Sequence, residues 1–543
     1  MGDRPGRVVE YRAFEHPTSP LFRDYLAGRP EALAFYAAGG WSPEAVVDAS
    51  RRALARERPR PAVAEALVRQ QEARGAPRAA ERAALLGDPR AVAVVTGQQA
   101  GLFGGPLYVL YKALAALKTA RRLGESHPGP VVAVFWVASD DHDFAEVRSV
   151  AVIDDSAQIR TLRYAPAVEP SGQPASMIRL DETVTRLVEE LAQALPASPH
   201  RDELVALVGE CYRPGVSLSD AFARLLSALL PELVVLDASD PALKALVAPL
   251  MAREIAEHSP TSRLALEAGR ALLAAGYHQQ VPVRPGFLNL FVLMDGERRA
   301  LAEQDGTIEV RGLGRRLSTK DAASLVAVEP ERWSPGVLLR PLLQDALLPT
   351  AAYVGGPAEI AYHAQIGPSY AHFGIPRPVL LPRPSLTLVE PAQARALEAE
   401  GLRLTDLEAD PEGLVARWAR EAYPDVEAAF AAAREAIARE LRVVEERLGA
   451  LDPTLRAAAD AAKGRALHQV ETLHEKSIRA LKKRDQTRAD RLRRTRDALF
   501  PGGSFQERGL GLVGPLARHG RALVADVEAR MDPFAQGHQV LYP

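Results

Sequence analysis

A single cysteine, Cys211, in 543 residues excludes an internal disulfide and any multi-cysteine zinc cluster. It ends an apolar, helix-like stretch and precedes a Tyr-Arg-Pro-Gly turn, as a small buried hydrophobe would; the alternative is a catalytic thiol, for which no partner is identifiable. No run reaches the roughly 20 apolar residues that a membrane-crossing helix needs. The opening from Met1 to Arg12 lacks an apolar core of the length that export requires, so a cytoplasmic protein is expected. Charge of one sign is not in excess either. With 67 Lys and Arg against 69 Asp and Glu, the net charge of -2 gives no overall pull toward nucleic acid or lipid. What is present is an ordinary soluble composition, 47% apolar and 25% charged, in a chain long enough for two to four domains and at least one sizeable core.

Residues 20–87 read as helices broken by Pro30, Gly39-Gly40 and Pro43. Ala91 to Val95 is a short continuous apolar run, the pattern of a strand buried on both faces. A glycine-rich loop follows, then a helix from Pro106 and a second strong strand over residues 131–138. Strand, glycine loop, helix and strand make a βαβ unit. Residues 148–180 are expected to be irregular and strand-rich, 181–232 helical, 233–236 a strand and 241–275 a helix. Asp295-Gly296 predicts a turn between two strands of a small antiparallel layer, and 379–381 a further core strand. From Val426 to Leu455 the apolar residues recur at spacings of a heptad seam. A second long helix is predicted from about Lys463 to Leu499, with the reversal at Asp452-Pro453 or within 459–464, so that the two pack antiparallel.

Three segments carry chemistry. Thr96-Gly97-Gln98-Gln99-Ala100-Gly101-Leu102-Phe103-Gly104-Gly105-Pro106 joins a buried strand to a helix. Glycine allows close ligand approach, and free amides at a helix start suit a phosphate or carboxylate. Gly97, Gln98, Gly101 and Gly105 are therefore candidate cofactor-binding residues, with Lys112 within reach of an anion or else solvated. The loop is neither a Walker loop nor the dinucleotide fingerprint. Second, Asp140-Asp141-His142-Asp143 and Glu146 follow a strand end, where ligands of open α/β sheets approach. Such a cluster can hold magnesium, orient an amine or accept its proton, or simply cap a helix. It is not a zinc signature, and no zinc is expected. Third, Arg340, then Gly355-Gly356-Pro357 with Glu359, pair a carboxylate-binding fork with a group suited to a helix start or a substrate amine. Tyr353 and Tyr362 add hydroxyls, and Arg383 follows a strand where it can meet phosphate. His278 and Asn289 are weaker pocket candidates. Between Lys476 and Arg496, 10 of 21 residues are basic. That helix can face water, another subunit, a nucleotide or a nucleic acid, although no established nucleic-acid module accompanies it.

Taken in order, Thr96 to Phe103, Gly105-Pro106-Leu107, Tyr111-Lys112, Phe135-Trp136, Asp140 to Asp143, Tyr353 to Tyr362, Leu499-Phe500-Pro501 and Gln506-Glu507-Arg508 resemble the cysteine-adding ligase family of bacillithiol biosynthesis (BshC) over nearly the whole chain. The resemblance implies an α/β fold: a Rossmann-type core like that of class I aminoacyl-tRNA synthetases, with inserted connective domains and an antiparallel coiled-coil arm. The implied division is a first core part with N-terminal helices (1–150), inserted connective regions with returning core elements (151–333), the remaining core and linker (334–420), the arm (421–500) and a core-packing C-terminal segment (501–543). The implied reaction adds L-cysteine to the amine of glucosaminyl-malate. ATP would activate the carboxylate, magnesium would accompany it, ADP would bind near the arm, and the protein would be a homodimer. Asp141 or His142 would handle the amine proton, Glu359 the cysteine ammonium, and Arg340 with the loop glycines the anionic oxygens. The synthetase signatures His-Ile-Gly-His and Lys-Met-Ser-Lys-Ser are both absent; Gly97 to Pro106 and Arg383 to Thr387 stand at the corresponding places. The rival expectations are an ATP-dependent amino-acid ligase with another amine acceptor, and a nonenzymatic nucleotide- or nucleic-acid-binding assembly protein.

Overall fold

A computed structural model describes residues 7–14, 18–37, 40–304, 306–408 and 410–543. They fall into two compact units, one drawn from Met1–Val389 and Gln506–Pro543, the other from Glu390–Phe505. No helix among the described residues is long and apolar enough to cross a membrane.

The first unit is built around five parallel strands, β1 (Val92–Gln98), β2 (Val131–Val137), β3 (Val234–Asp237), β4 (Thr350–Gly355) and β5 (Val379–Pro382). Across the sheet they run β5-β4-β1-β2-β3. Chain order therefore reverses between β1 and β4, which is the Rossmann arrangement with its switch point there. Nearly every strand residue is buried, which explains continuous apolar runs in place of alternation. The strand read from Ala91 to Val95 continues through Gly97 and Gln98, which pair with Trp136 and Val137. The start of the glycine-rich segment is thus sheet, not loop. Helix α1 (Leu107–Gly124) crosses from β1 to β2 and is buried along most of its length. Proline opens many helices here, among them Pro43, Pro241, Pro260 and Pro357, where its missing N–H has no partner to lose.

The expected antiparallel layer is present. Its strands run Arg315–Ser318, Thr307–Val310, Glu297–Gln304, Phe287–Met294, Trp333–Pro335 across the sheet. Asp295 and Gly296 form its tight turn, both with positive φ (53° and 77°). A third sheet, which the sequence did not suggest, sets Gly537–Leu541 between Arg7–Glu10 and Ser385–Leu388. The helix expected over 241–275 is two, Pro241–Ala256 and Pro260–Ala274, parted by His258 and Ser259 with φ of 58° and 52°.

At that break Glu254 is fully buried. It accepts hydrogen bonds from the Ser259 hydroxyl (2.9 Å) and the Thr261 hydroxyl. Burial outweighs these bonds and pushes its pKa up to about 7. The folded chain therefore keeps this proton to higher pH than the unfolded chain, whose ordinary value is 4.5. Stability is expected to fall as pH rises from about 4.5 to 7 and to level off above, by at most about 3 kcal/mol for a shift of this size. Glu254→Gln should flatten that decline, measured as urea midpoints at pH 5 and pH 8.

The second unit contains α2 (Pro424–Leu451), α3 (Pro453–Arg484) and α4 (Gln486–Leu499). The reversal falls at Asp452-Pro453, and the second helix begins there, ten residues before the expected Lys463 (463 − 453), because proline is accepted in a first turn. The antiparallel pairing of α2 and α3 is marked by Glu427 with His474 (2.7 Å), Arg434 with Glu471 (3.3 Å) and Glu445 with Lys463 (2.9 Å). The heptad seam is only partly covered. Leu451 is 78% exposed, and Val444 and Leu455 also face solvent. Half of the basic run is matched by acids within this unit. Glu400, whose side chain is 2% exposed, takes Arg488 and Arg491, and Glu412 takes Lys482 and Arg493. The run spans α3 and α4, and half of its charge is thus balanced locally, which weakens the basis for a phosphate-backbone surface.

Candidate active site

A cavity of about 370 Å³ opens at the carboxyl ends of the parallel strands. Its walls come from Gly97 and Gln98 at the end of β1, Ala138 after β2, Gly356 after β4 and Arg383 after β5. This is the switch-point crevice where ligands of such sheets bind. Among the sequence candidates it brings together Gly97, Gln98, Lys112, Arg340, Glu359 and Arg383.

Lys112 projects from α1 and is only 1% exposed. Its ammonium donates to the Gly97 carbonyl (2.5 Å), Gln98 Oε1 (3.1 Å) and Glu359 Oε2 (2.6 Å). All three of its donors are engaged, so it is neither solvated nor free for a ligand. Burial lowers its pKa, opposed by Glu359. Glu359 lies in the first turn of the helix Pro357–His372, where it accepts the Gly356 N–H (2.7 Å) and the Tyr353 hydroxyl (2.6 Å). Burial alone would raise this carboxyl. Lys112 and these bonds prevail and hold it below the usual range. Its charge is already balanced, so the expected role of Glu359 as receptor for a substrate ammonium is corrected to that of a strut tying β1, α1 and β4 together beneath the cavity.

Arg340 differs. Its guanidinium donates to Gln344 Oε1 (2.9 Å) and the Tyr362 hydroxyl (3.1 Å) and lies 5.7 Å from the centre of the Tyr353 ring. It makes no ion pair among the described residues. A half-buried guanidinium with free N–H groups and no carboxylate is set for an anionic ligand. Arg383, by contrast, is neutralised by the buried Glu507 at 2.6 Å.

Several sequence candidates lie elsewhere. Gly101 and Gly105 do not line the cavity. A Cβ on Gly101 would sit 2.7 Å from the Gly105 Cα, and Gly105 has φ of 72°. The Tyr212 hydroxyl donates to the Gly101 carbonyl and accepts the Gly104 N–H, both at 3.0 Å. The start of α1 is covered too, since the Leu107 N–H donates to the Leu510 carbonyl (2.9 Å). Gly101 and Gly105 thus serve close backbone packing, and the first N–H of α1 is already taken. Asp141 and His142 also stand outside the lining. His142 Nδ1 lies 3.1 Å from Arg298 Nη1. Arginine can only donate, so Nδ1 is the acceptor and Nε2 bears the proton. Burial and then Arg298 lower the His142 pKa, leaving a neutral ring whose free edge is a donor. It is not the base expected from the sequence. Asn289 is buried against Thr261 (2.7 Å) and Ser262 (2.8 Å), and His278 bonds Gln280 (3.0 Å), so neither belongs to the site. Cys211 is buried, and burial pushes its thiol up to about 11, as an inert packing residue requires.

The cavity also holds Tyr108, Trp136 and Arg508, to which no site role was given from sequence, and Glu146 from the acidic cluster. Glu146 accepts from Gln99 Nε2 (2.8 Å), and the same amide donates to Asp141 Oδ2 (2.7 Å), which ties the acidic cluster to the rim. Among the described residues no group of three or more His, Cys, Asp or Glu side chains is arranged to hold a metal ion.

Rossmann strand order, with a crevice at the switch point and a guanidinium without a carboxylate in its wall, defines a Rossmann-like α/β protein. The chain belongs to the bacillithiol biosynthesis BshC family. Residues 9–384 match that family's N-terminal Rossmann-like domain and residues 386–543 its C-terminal coiled-coil domain. A protein of Salinibacter ruber named "Putative cysteine ligase BshC" is 35% identical over 527 residues, 96% of each chain. Proteins of the same name from Koribacter versatilis (35% over 513 residues, 93% of this chain and 94% of the relative) and Chlorobaculum tepidum (34% over 489 residues, 86% of each) are similar to comparable degrees.

Proposed function

We propose that this chain is a ligase that joins L-cysteine to the amine of glucosaminyl-malate, forming bacillithiol, after ATP-dependent activation of the cysteine carboxylate. The observation that carries the reading is Arg340, an uncompensated guanidinium in the wall of a switch-point cavity. Family membership supports cysteine as one substrate, through relatives named "Putative cysteine ligase BshC". The activated form in this reading is an adenylate: the carboxylate oxygen bonds to the α-phosphorus of ATP as pyrophosphate departs, since carboxylate oxygen is a poor leaving group and AMP a good one. In this reading Arg340, with Gly97 and Gln98 at the end of β1, holds the anionic oxygens and stabilises charge that develops during acyl transfer. The amine nitrogen bonds to the cysteine carboxyl carbon as AMP departs. Glu146, tethered through Gln99 to Asp141, takes the amine proton, and magnesium would arrive with the nucleotide phosphates. The exposed apolar residues of the arm, Leu451 and Leu473 (78% and 58% exposed), support a homodimer, which sedimentation at micromolar concentration reads directly.

The test is product analysis with ATP, magnesium, cysteine and glucosaminyl-malate. Bacillithiol with one AMP per product is the expected result. ADP in its place would replace adenylation by an acyl phosphate. Absence of product with each nucleotide tried would sink the reading.

A further inference from the structure

Four cations line the cavity: Lys112, Arg340, Arg383 and Arg508. Lys112 is balanced by Glu359 and Arg383 by Glu507. Arg340 and Arg508 remain, and Arg508 makes no hydrogen bond or ion pair among the described residues. Glu146 is the one other acid on the lining, and it is engaged by Gln99. Two guanidiniums without carboxylates therefore face a single space, one set in its wall and the other exposed at its edge.

The position of Arg508 is built. Its neighbour Glu507 is 1% exposed and accepts from Arg383 Nη2 (2.6 Å), the Ser385 hydroxyl (3.0 Å) and the Leu386 N–H (2.6 Å). Gln506 bonds both the N–H and the carbonyl of Leu388 (2.9 and 3.0 Å). These buried contacts fix the backbone just before Arg508 and hold its side chain at the rim. A pre-positioned donor of this kind binds an anion with less ordering cost than a loose surface arginine.

We propose that Arg508 is the second anion anchor of the cavity, gripping a multiply charged oxyanion on a substrate while Arg340 holds the carboxylate to be activated. The inference rests on the ligase reading above. Two substrates offer such a group: the polyphosphate of ATP and the two carboxylates of the malate moiety. Both present several anionic oxygens on a short stem, which suits a forked guanidinium.

Full-length Arg508→Gln and Arg508→Lys proteins test it through the KM of each substrate. Loss of a charge-assisted contact is expected to raise the KM of one anionic substrate about 10- to 100-fold. The cysteine KM should stay within about twofold and the thermal midpoint should not move, while Arg508→Lys recovers part of the loss. An effect confined to ATP identifies the polyphosphate; one confined to glucosaminyl-malate identifies the dicarboxylate. Unchanged KM for both, or an equal loss for all three substrates, overturns the proposal. Calorimetric binding of tripolyphosphate and of malate to wild type and Arg508→Gln supplies a readout that does not need turnover. Weaker binding of one probe upholds the anchor even if wild type makes no bacillithiol, and unchanged binding of both removes it even if wild type does.

Discussion

Arg340→Ala is expected to abolish amide formation between cysteine and glucosaminyl-malate, lowering kcat/KM by about 100-fold or more. A guanidinium that meets a desolvated anion contributes about 2–5 kcal/mol when removed. Lys112 and Arg383 cannot take over, because each is held by its own carboxylate, and Arg508 stands at the edge of the cavity, not in its wall. Arg340→Lys should recover little, since an ammonium lacks the planar fork and would have to leave Gln344 or Tyr362 to reach the ligand. Initial rates with saturating co-substrates, beside a denaturant midpoint showing an intact fold, read the effect. Activity within tenfold of wild type in a folded Arg340→Ala protein would take the anchor role away.

Lys112→Met should be the most destabilising single change in the site. It leaves Glu359 ionised beneath the cavity with its strongest partner gone, and it strands the Gly97 carbonyl and Gln98 Oε1. Breaking a buried pair from one side costs about 3–5 kcal/mol. The low end is expected here, because Glu359 keeps 21% of its side chain exposed. Glu359→Gln added to Lys112→Met should recover about half of that loss, since the uncompensated charge goes with it. The double variant should still be inactive, its cavity floor no longer braced. Urea midpoints of the two single variants and the double form the cycle. Additive losses would mean that the two groups do not depend on each other and that the strut is misassigned.

Much of the fold was legible because burial on both faces leaves a mark in composition. β1, β2 and β5 are valine- or leucine-rich runs, the pattern of strands covered on both sides of a sheet. β4 escaped notice. Thr-Ala-Ala-Tyr-Val-Gly has little intrinsic strand preference, and its place between β1 and β5 imposes the conformation. The glycine segment shows a second limit. Glycine serves ligand approach and backbone packing alike, and only the structure shows Gly97 at the cavity while Gly101 and Gly105 lie pressed together. Arg340 and Arg383 were readable as donors after turns. Arg508 was not, because the unit formed by residues 390–505 separates it in sequence from the strands it adjoins. His142 was misread for a related reason: the Arg298 that fixes its ring comes from the antiparallel layer.

Strand Gly537–Leu541 sits between Arg7–Glu10 and Ser385–Leu388, and this ordering bears on synthesis. The earliest of the three must wait for almost the whole chain to leave the ribosome before its partner exists. Until then its edge, and that of Ser385–Leu388, is open to mispairing. Chaperone dependence during translation should therefore exceed what the stability of the finished protein suggests, and a ribosome stalled within the helical arm would carry an α/β body whose ligand pocket still lacks its last wall.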